Sequence, residues 1–412
     1  MKNLEILIQE LCPDGVEFRT MEEIFEIRNG YTPSKNNPDF WESGTIPWFR
    51  MEDIRQNGRI LSDAIQHITP AAIKGKGLFP ANSIIIATTA TIGEHALVIA
   101  DSLANQQFTN LTVRKSLSAC LLPKFVFYYM FVIDEWCKKN VNAGNFASVD
   151  MKRFKKLEFP LPPIEVQTEI VRILDKFTSL EAELEAELDC RKRQYEYYRD
   201  KLLSFDNVGG QEVEWKKMSE VGTFIRGKRF VRTDIVEEGV PCIHYGDIYT
   251  YYGLTATKAK TYLKPEKAEK MKFASKNDVV IVGAGENNMD IGVGVAWLSD
   301  EKVAIHDACY IFKSKMNARF VSHYLRGSNY HLQIKKYVCE GKICSISSKS
   351  IGRSLIPVPS LQEQERIATI LDRFESLTTS LQSGLPAEIA ARRQQYEHYR
   401  DKLLTFKRKG AA

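Results

Sequence analysis

The chain has 412 residues, with 57 Lys+Arg against 52 Asp+Glu and 44% hydrophobic side chains. That length predicts two or three domains, each able to bury a core, and the ordinary composition excludes disordered, collagen-like and mucin-like classes. Net charge is only +5; residues 206–360 hold 23 basic against 17 acidic side chains while residues 1–163 balance at 18 each, so charge alone does not mark a nucleic-acid protein.

In chain order, the apolar stretch Leu4–Ile8 is too short for a signal peptide and is followed at once by Gln9 and Glu10. Strands are expected at Ser83–Ala87 and Leu97–Ala100, and a helix over Lys124–Lys139. Its apolar run Phe125–Ile133 is about half of what a bilayer crossing needs, so no membrane span and a cytoplasmic location are expected. These elements make a first mixed α/β head, residues 1–160. Pro160, Pro162 and Pro163 then precede a helix with a seam at Val166, Ile170, Ile173, Phe177, Leu180 and Leu184. The seam resumes at Tyr195, Tyr198, Leu202 and Phe205; continuous over 164–205, this helix is roughly 60 Å long at about 1.5 Å per residue. Residues 161–206 thus read as a central helical spacer. A second head, 207–357, has strands at Val279–Val282 and Gly294–Leu298 and a helical run over Arg319–Val338. A C-terminal helical spacer, 358–412, closes the chain, interrupted at Gly384 and Pro386.

The chain repeats itself. FPLPPIEVQTEIVRILDKFTSL at 159–180 returns as IPVPSLQEQERIATILDRFESL at 356–377, and QYEYYRDKLLSF at 194–205 returns as QYEHYRDKLLTF at 395–406 with ten of twelve positions identical. IPWFRMEDI at 46–54 has a fainter counterpart in VPCIHYGDI at 240–248, and GVEFRTMEEIFEIRNG at 15–30 in EVEWKKMSEVGTFIRG at 212–227. The two helices have stayed alike while the heads have diverged, which suggests two equivalent jobs and two different targets. Between the seams lies EAEL-EAEL at 181–188; the second copy has three such units, TTSL, QSGL and PAEI at 378–389. Four residues turn a helix by about 400°, so a unit can be added while the packing face rotates by only about 40°.

Enzyme motifs match only nearly. Gly222-x4-Gly227-Lys228 has the phosphate-loop spacing, but Arg229 stands where a Ser or Thr should hold magnesium. VVIVGAG at 279–285 lacks a third loop glycine, since position 288 is Asn, and a turn between strands is expected there. Asn37-Pro38-Asp39-Phe40 departs from the Asn-Pro-Pro-aromatic motif of adenine methyltransferases at Asp39 and reads as a surface turn. Pro13-Asp14 with Glu17-x-Arg19 is too compressed for a metal nuclease. The eight cysteines form no Cys-x-x-Cys pair and the seven histidines no zinc spacing, so packing cysteines, no metal and no catalytic residue are expected.

A head, PLPPIEVQTEIVRILDKF, Ala-Glu-Leu tetrapeptides and RKRQYEYYRDKLLSF, all then repeated, resembles the type I restriction–modification specificity subunits over essentially the whole chain. The resemblance implies an α/β fold: two mixed α/β target-recognition heads separated by two long antiparallel coiled-coil helices, in a pseudo-two-fold duplication. It implies a non-catalytic subunit whose heads each read half of a split, asymmetric site in double-stranded DNA. The helices would fix the spacer and dock two modification subunits bringing S-adenosylmethionine; restriction subunits with ATP and Mg would join, leaving this chain without a cofactor of its own.

Loop residues able to reach bases or phosphates are the candidate DNA contacts. They are Arg50, Lys74, Lys76, Thr89, Thr91, Asn105, Gln106 and Asn145 in the first head. In the second they are Arg226, Lys228, Arg229, His244, Tyr245, Asn287, Asn288, His306 and Lys342. Helix positions off the seam are the candidate partner contacts: Gln167, Tyr197 and Arg199, with Gln364, His398 and Arg400. Tyr195, Tyr198, Tyr396 and Tyr399 are expected to pack the helices together. The alternative is a coiled-coil scaffold joining two heads that bind something other than DNA, which would be insensitive to salt on heparin.

Overall fold

A computed structural model describes residues 2–142, 147–205, 213–379 and 384–410. The chain forms two compact units, residues 1–182 with 391–412, and residues 183–390. These cut across the boundaries expected at 160, 206 and 357. Each unit takes a head, the first half of the helix that follows it, and the second half of the other helix.

In the first unit the middle strand of a five-stranded sheet is Ser83–Ala87, buried along its whole length as its three successive isoleucines require. It pairs antiparallel with Phe108–Val113 on one side and His95–Val98 on the other. Phe25–Asn29 and Ile60–Leu61 form the edges. A smaller sheet sets Ile46–Phe49 between His67–Ile68 and, in parallel, Leu103–Ala104. Helix Pro123–Lys139 begins at a proline in its first turn and buries Phe125, Tyr129 and Ile133 on its inner face.

The second unit repeats this plan. Its larger sheet runs Gly222–Arg226, Cys309–Ser314, Val279–Val282, Gly294–Trp297 and Thr255–Ala256. In its smaller sheet, which has five short strands against three in the first unit, Val240–Ile243 lies parallel to Val303–Ile305. The run expected to be one helix over Arg319–Val338 is two, Ala318–Tyr324 and Ser328–Lys335. They part at Gly327, where a Cβ would meet the Tyr324 carbonyl oxygen at 3.1 Å.

The central helix is unbroken from Ile164 to Ser204, whereas the second is two helices, Leu361–Thr379 and Leu385–Leu403. A Cβ at Gly384 would sit 2.9 Å from the Ser376 carbonyl oxygen, which only glycine avoids. The last two residues of the TTSL unit and the first two of the QSGL unit, 380–383, lie outside the described residues. The expected seam needs correcting in its first turns. Val166, Ile170 and Leu174 are the fully buried apolar residues, spaced four apart, because this stretch packs on the core of its own head before it meets another helix. Leu180 is 36% exposed.

Two buried amides tie head to helix. Gln167 accepts from the Leu122 N–H (2.9 Å) and donates to the Cys120 and Pro162 carbonyls, both at 2.7 Å. Gln364, its repeat counterpart, accepts from the Asn317 N–H and donates to the Pro359 carbonyl, both at 2.8 Å. One aspartate per helix adds to this. Asp175 takes Lys124 Nζ (2.6 Å) and Tyr128 Oη (2.7 Å), and Asp372 takes Arg319 and His323 Nε2 (2.8 Å).

The end of the chain belongs to the first unit. Leu404 is buried there and Phe406 packs beside it. Val16 N–H donates to the Lys407 carbonyl (2.8 Å) and Lys409 N–H to the Val16 carbonyl (2.9 Å). Among the described residues no helix is long and apolar enough to cross a membrane.

Candidate nucleic-acid interface

In each head two parallel strands of the smaller sheet end side by side, with Phe49 opposite Ala104 and Ile243 opposite Ile305. The next residues, Arg50 and Asn105 in one head and His244 and His306 in the other, are therefore neighbours although far apart in sequence. The backbone closes the junction in the same way both times. Asn105 N–H donates to the Phe49 carbonyl (3.0 Å), and His306 N–H to the Ile243 carbonyl (3.2 Å). Asn105 Oδ1 accepts from the Gln107 N–H (3.1 Å), as His306 Nδ1 accepts from the Ala308 N–H (3.1 Å). Gly30 and Gly227 press on these turns, and a Cβ on either would lie 2.2 Å from the carbonyl oxygen of Asn105 or His306.

Arg50 and His244 also begin short helices, Met51–Asn57 and Tyr245–Thr250. Fully buried Asp53 fixes the first by accepting from the Arg50 and Ile65 N–H groups, both at 2.7 Å. Asp247, its counterpart, is paired with Lys260 Nζ at 2.9 Å. Arg50 is half-buried, one guanidinium nitrogen 3.1 Å from Glu52, while its Nε is buried without a hydrogen-bond partner.

The other candidates spread along the same loops. Gln106 is exposed and accepts from Thr32 Oγ1, a contact the sequence reading did not include. Lys74 and Lys76 are exposed on a turn held by Tyr31, whose hydroxyl accepts from the Lys74 N–H at 2.8 Å. Thr89 and Thr91 are half-buried. Asn145 lies outside the described residues.

In the second head Arg226, Lys228 and Arg229 are exposed, with Arg226 Nε donating to the Asp307 carbonyl at 2.9 Å. The rings of His244 and Tyr245 lie 4.3 Å apart and those of His244 and His306 4.7 Å, with Phe230 against His306 at 4.8 Å. Burial disfavours the charged form of both imidazoles, and their proximity adds to this for His306. Tyr249, which sequence reasoning passed over, sits near this group, its hydroxyl pushed up to about 12 by burial. Asn287 caps a turn through the Met289 N–H (3.1 Å), Asn288 donates to Glu340 (2.6 Å), and Lys342 is exposed.

The helix candidates divide. Tyr197 is 59% exposed and His398, its repeat counterpart, is also exposed. Gln167 and Gln364 are corrected from surface to interior, because their amides satisfy backbone groups beneath the helix. Arg199 is corrected likewise: it is 8% exposed, pairs with Asp200 (2.9 Å) and lies over the Tyr195 ring. Arg400 is half-buried against Phe131 and paired with Asp401 at 2.8 Å. Of the four tyrosines, Tyr198 and Tyr399 stack on helix residues, while the Tyr195 hydroxyl turns to His323 Nδ1 at 3.1 Å.

The near-match enzyme motifs resolve as structure. Gly222–Arg226 is a strand where a phosphate loop would be needed, and Asn37 caps a single turn at Pro38–Phe40. All eight cysteines are free. Among the described residues no group of three His, Cys, Asp or Glu is placed to hold a metal ion.

The profile described as the type I restriction modification DNA specificity domain matches residues 13–189 and again 211–391. The chain belongs to that family. It is 38% identical over 392 residues to the type I restriction enzyme EcoprrI specificity subunit of Escherichia coli, covering 92% of each. It is 32% identical to a putative type I restriction enzyme specificity subunit of Haemophilus influenzae, covering 98% of this chain and all of that one. A solved chain from a study of type I restriction–modification assembly has a TM-score of 0.63 at 17% identity, covering 95% of this chain and 97% of its own, which shows the shared fold. The two matched stretches of this specificity-family chain each span one head and part of the helix after it, as the repeat does.

Proposed function

We propose that this chain reads DNA for a type I restriction–modification complex, each head binding one half of a split, asymmetric site. The observation that carries the reading is the shared frame of the two heads with different side chains at its matched positions: Arg50 and Asn105 against His244 and His306. A common scaffold presenting different donors and acceptors is what two half-sites require. The chain's role is recognition. Catalysis belongs to partners: two modification subunits with S-adenosylmethionine that methylate adenine N6, and restriction subunits with ATP and Mg. The exposed pair Tyr197 and His398 supports two equivalent docking surfaces on the helices. A cytoplasmic location follows from the role. The scaffold alternative finds no support among the relatives.

The test is a genome-wide map of N6-methyladenine in cells that express this chain with its modification subunit. A split, asymmetric motif that vanishes when the chain is deleted is the expected result. An unchanged methylome, with the modification subunit present and competent, overturns the reading.

A further inference from the structure

We propose that positions 50 and 244 are the matched base-reading positions of the two heads, and that His244 reads a guanine by donating a hydrogen bond from Nε2. This rests on the DNA-reading role proposed above and names the chemistry at one point of it.

The tautomer of His244 is dictated by its own loop. The Gly246 N–H donates to His244 Nδ1 at 3.2 Å, so Nδ1 holds a lone pair and the neutral ring carries its proton on Nε2. Among the described contacts Nε2 of His244 has no hydrogen-bond partner, and the side chain is half-buried rather than enclosed. A free, oriented donor remains.

The ring is held in place. Tyr245 packs on it at 4.3 Å and His306 at 4.7 Å. His306 is a positioning residue: its Nδ1 accepts from the Ala308 N–H (3.1 Å) and its ring stands edge-on to Phe230. Gly227, where no Cβ fits, seals the turn beneath. The charged groups around the pair are Asp247, on the helix that His244 begins, with Asp307 and Arg229 beside His306. Burial disfavours the charged form of both rings, and Nε2 of His244 bears a proton in the neutral and the charged form alike.

A lone N–H donor distinguishes bases. Both purines accept at N7, so discrimination comes from a donor that faces the six-position, where guanine presents the O6 acceptor and adenine the N6 amino donor; that is the contact assigned to His244 Nε2. Position 50, reached by the same strand register in the first head, carries arginine, whose donor fork suits the same two guanine acceptors. Both heads therefore put a donor at the end of the same strand, and the neighbouring position, Asn105 or His306, differs between them.

The experiment uses the assembled complex of full-length chain and modification subunit. Duplexes carry the split site found in the methylome, with each base pair of the second head's half-site varied in turn. H244A is expected to erase preference for guanine at one base pair, roughly five- to hundredfold, while the first half-site is read as before. H244Q, which offers an amide able to pair with adenine, is expected to shift preference at that same base pair toward adenine. The assignment is overturned by unchanged preferences in both variants, by a uniform loss of binding with preferences intact, or by loss of all methylation in both. A wild-type complex with no preference for any split site overturns the DNA-reading role itself, and this assignment with it.

Discussion

The ring of Phe177 stacks on that of Tyr399 with centroids 5.5 Å apart and planes at 25°, and Phe374 stacks on Tyr198 at 5.6 Å and 29°. Phe177 and Phe374 are repeat counterparts, as are Tyr198 and Tyr399. The early part of one helix therefore meets the late part of the other, once in each compact unit. In the first unit the Glu181–Arg393 ion pair, with Phe177 reaching Tyr396 and Tyr399, sets the two segments antiparallel.

F177A should loosen the first unit alone. Losing a half-buried ring and its stacking is expected to cost about 1–3 kcal/mol. Hydrogen exchange should quicken over residues 391–410 and stay unchanged over 183–379. Unaltered protection in the tail would show that the stack does not hold it.

Q167L should damage stability rather than partner docking. It leaves the Leu122 N–H and the Cys120 and Pro162 carbonyls without their partner, at an expected cost of about 2–4 kcal/mol in urea unfolding. Q364L should behave alike through Asn317 and Pro359. Wild-type stability with lost binding of the modification subunit would reverse the assignment.

Mild acid should weaken the second unit. His244, His306, His323 and His331 are all pushed below the ordinary histidine range, in each case chiefly by burial. The unfolded chain then binds more protons than the folded one once pH falls below about 6.5. Stability is fully present above that pH and drops as pH falls through the folded values. Melting should be flat from pH 8 to 7 and decline below about 6.5, with exchange protection lost first in residues 183–379. An equal loss in both units would count against this origin.

Deleting Glu181–Leu184 should shorten the recognised spacer. Four residues remove about 6 Å of helix and rotate its face by about 40°. Against a rise of about 3.4 Å per base pair this amounts to about two base pairs. A methylome in which the half-sites keep their distance would refute the ruler.

Much of this was legible in the sequence because it is local. Four successive Val/Ile positions at 279–282 gave a buried strand where expected, and Gly384 with Pro386 broke the second helix as their backbone limits demand. The pairing of Phe25–Asn29 with Phe108–Val113 was not legible, since alternation reveals a strand and not its neighbour. Gln167 misled because a polar residue on a helix reads as surface until the backbone groups it satisfies are known. His244 and His306 were each candidates, but only strand register makes them one site.

The hydrogen bonds between Val16 and residues 407–409 also bear on how the chain is made. The first unit needs residues 391–410 to complete its core, and all of residues 183–390 are synthesised in between. On the ribosome the first head is expected to wait, with the Phe125 ring that Phe406 will cover still open, while the second unit already has every residue it requires. The half that is translated second is thus the half expected to fold first, and the closing of the long loop is the last step of maturation.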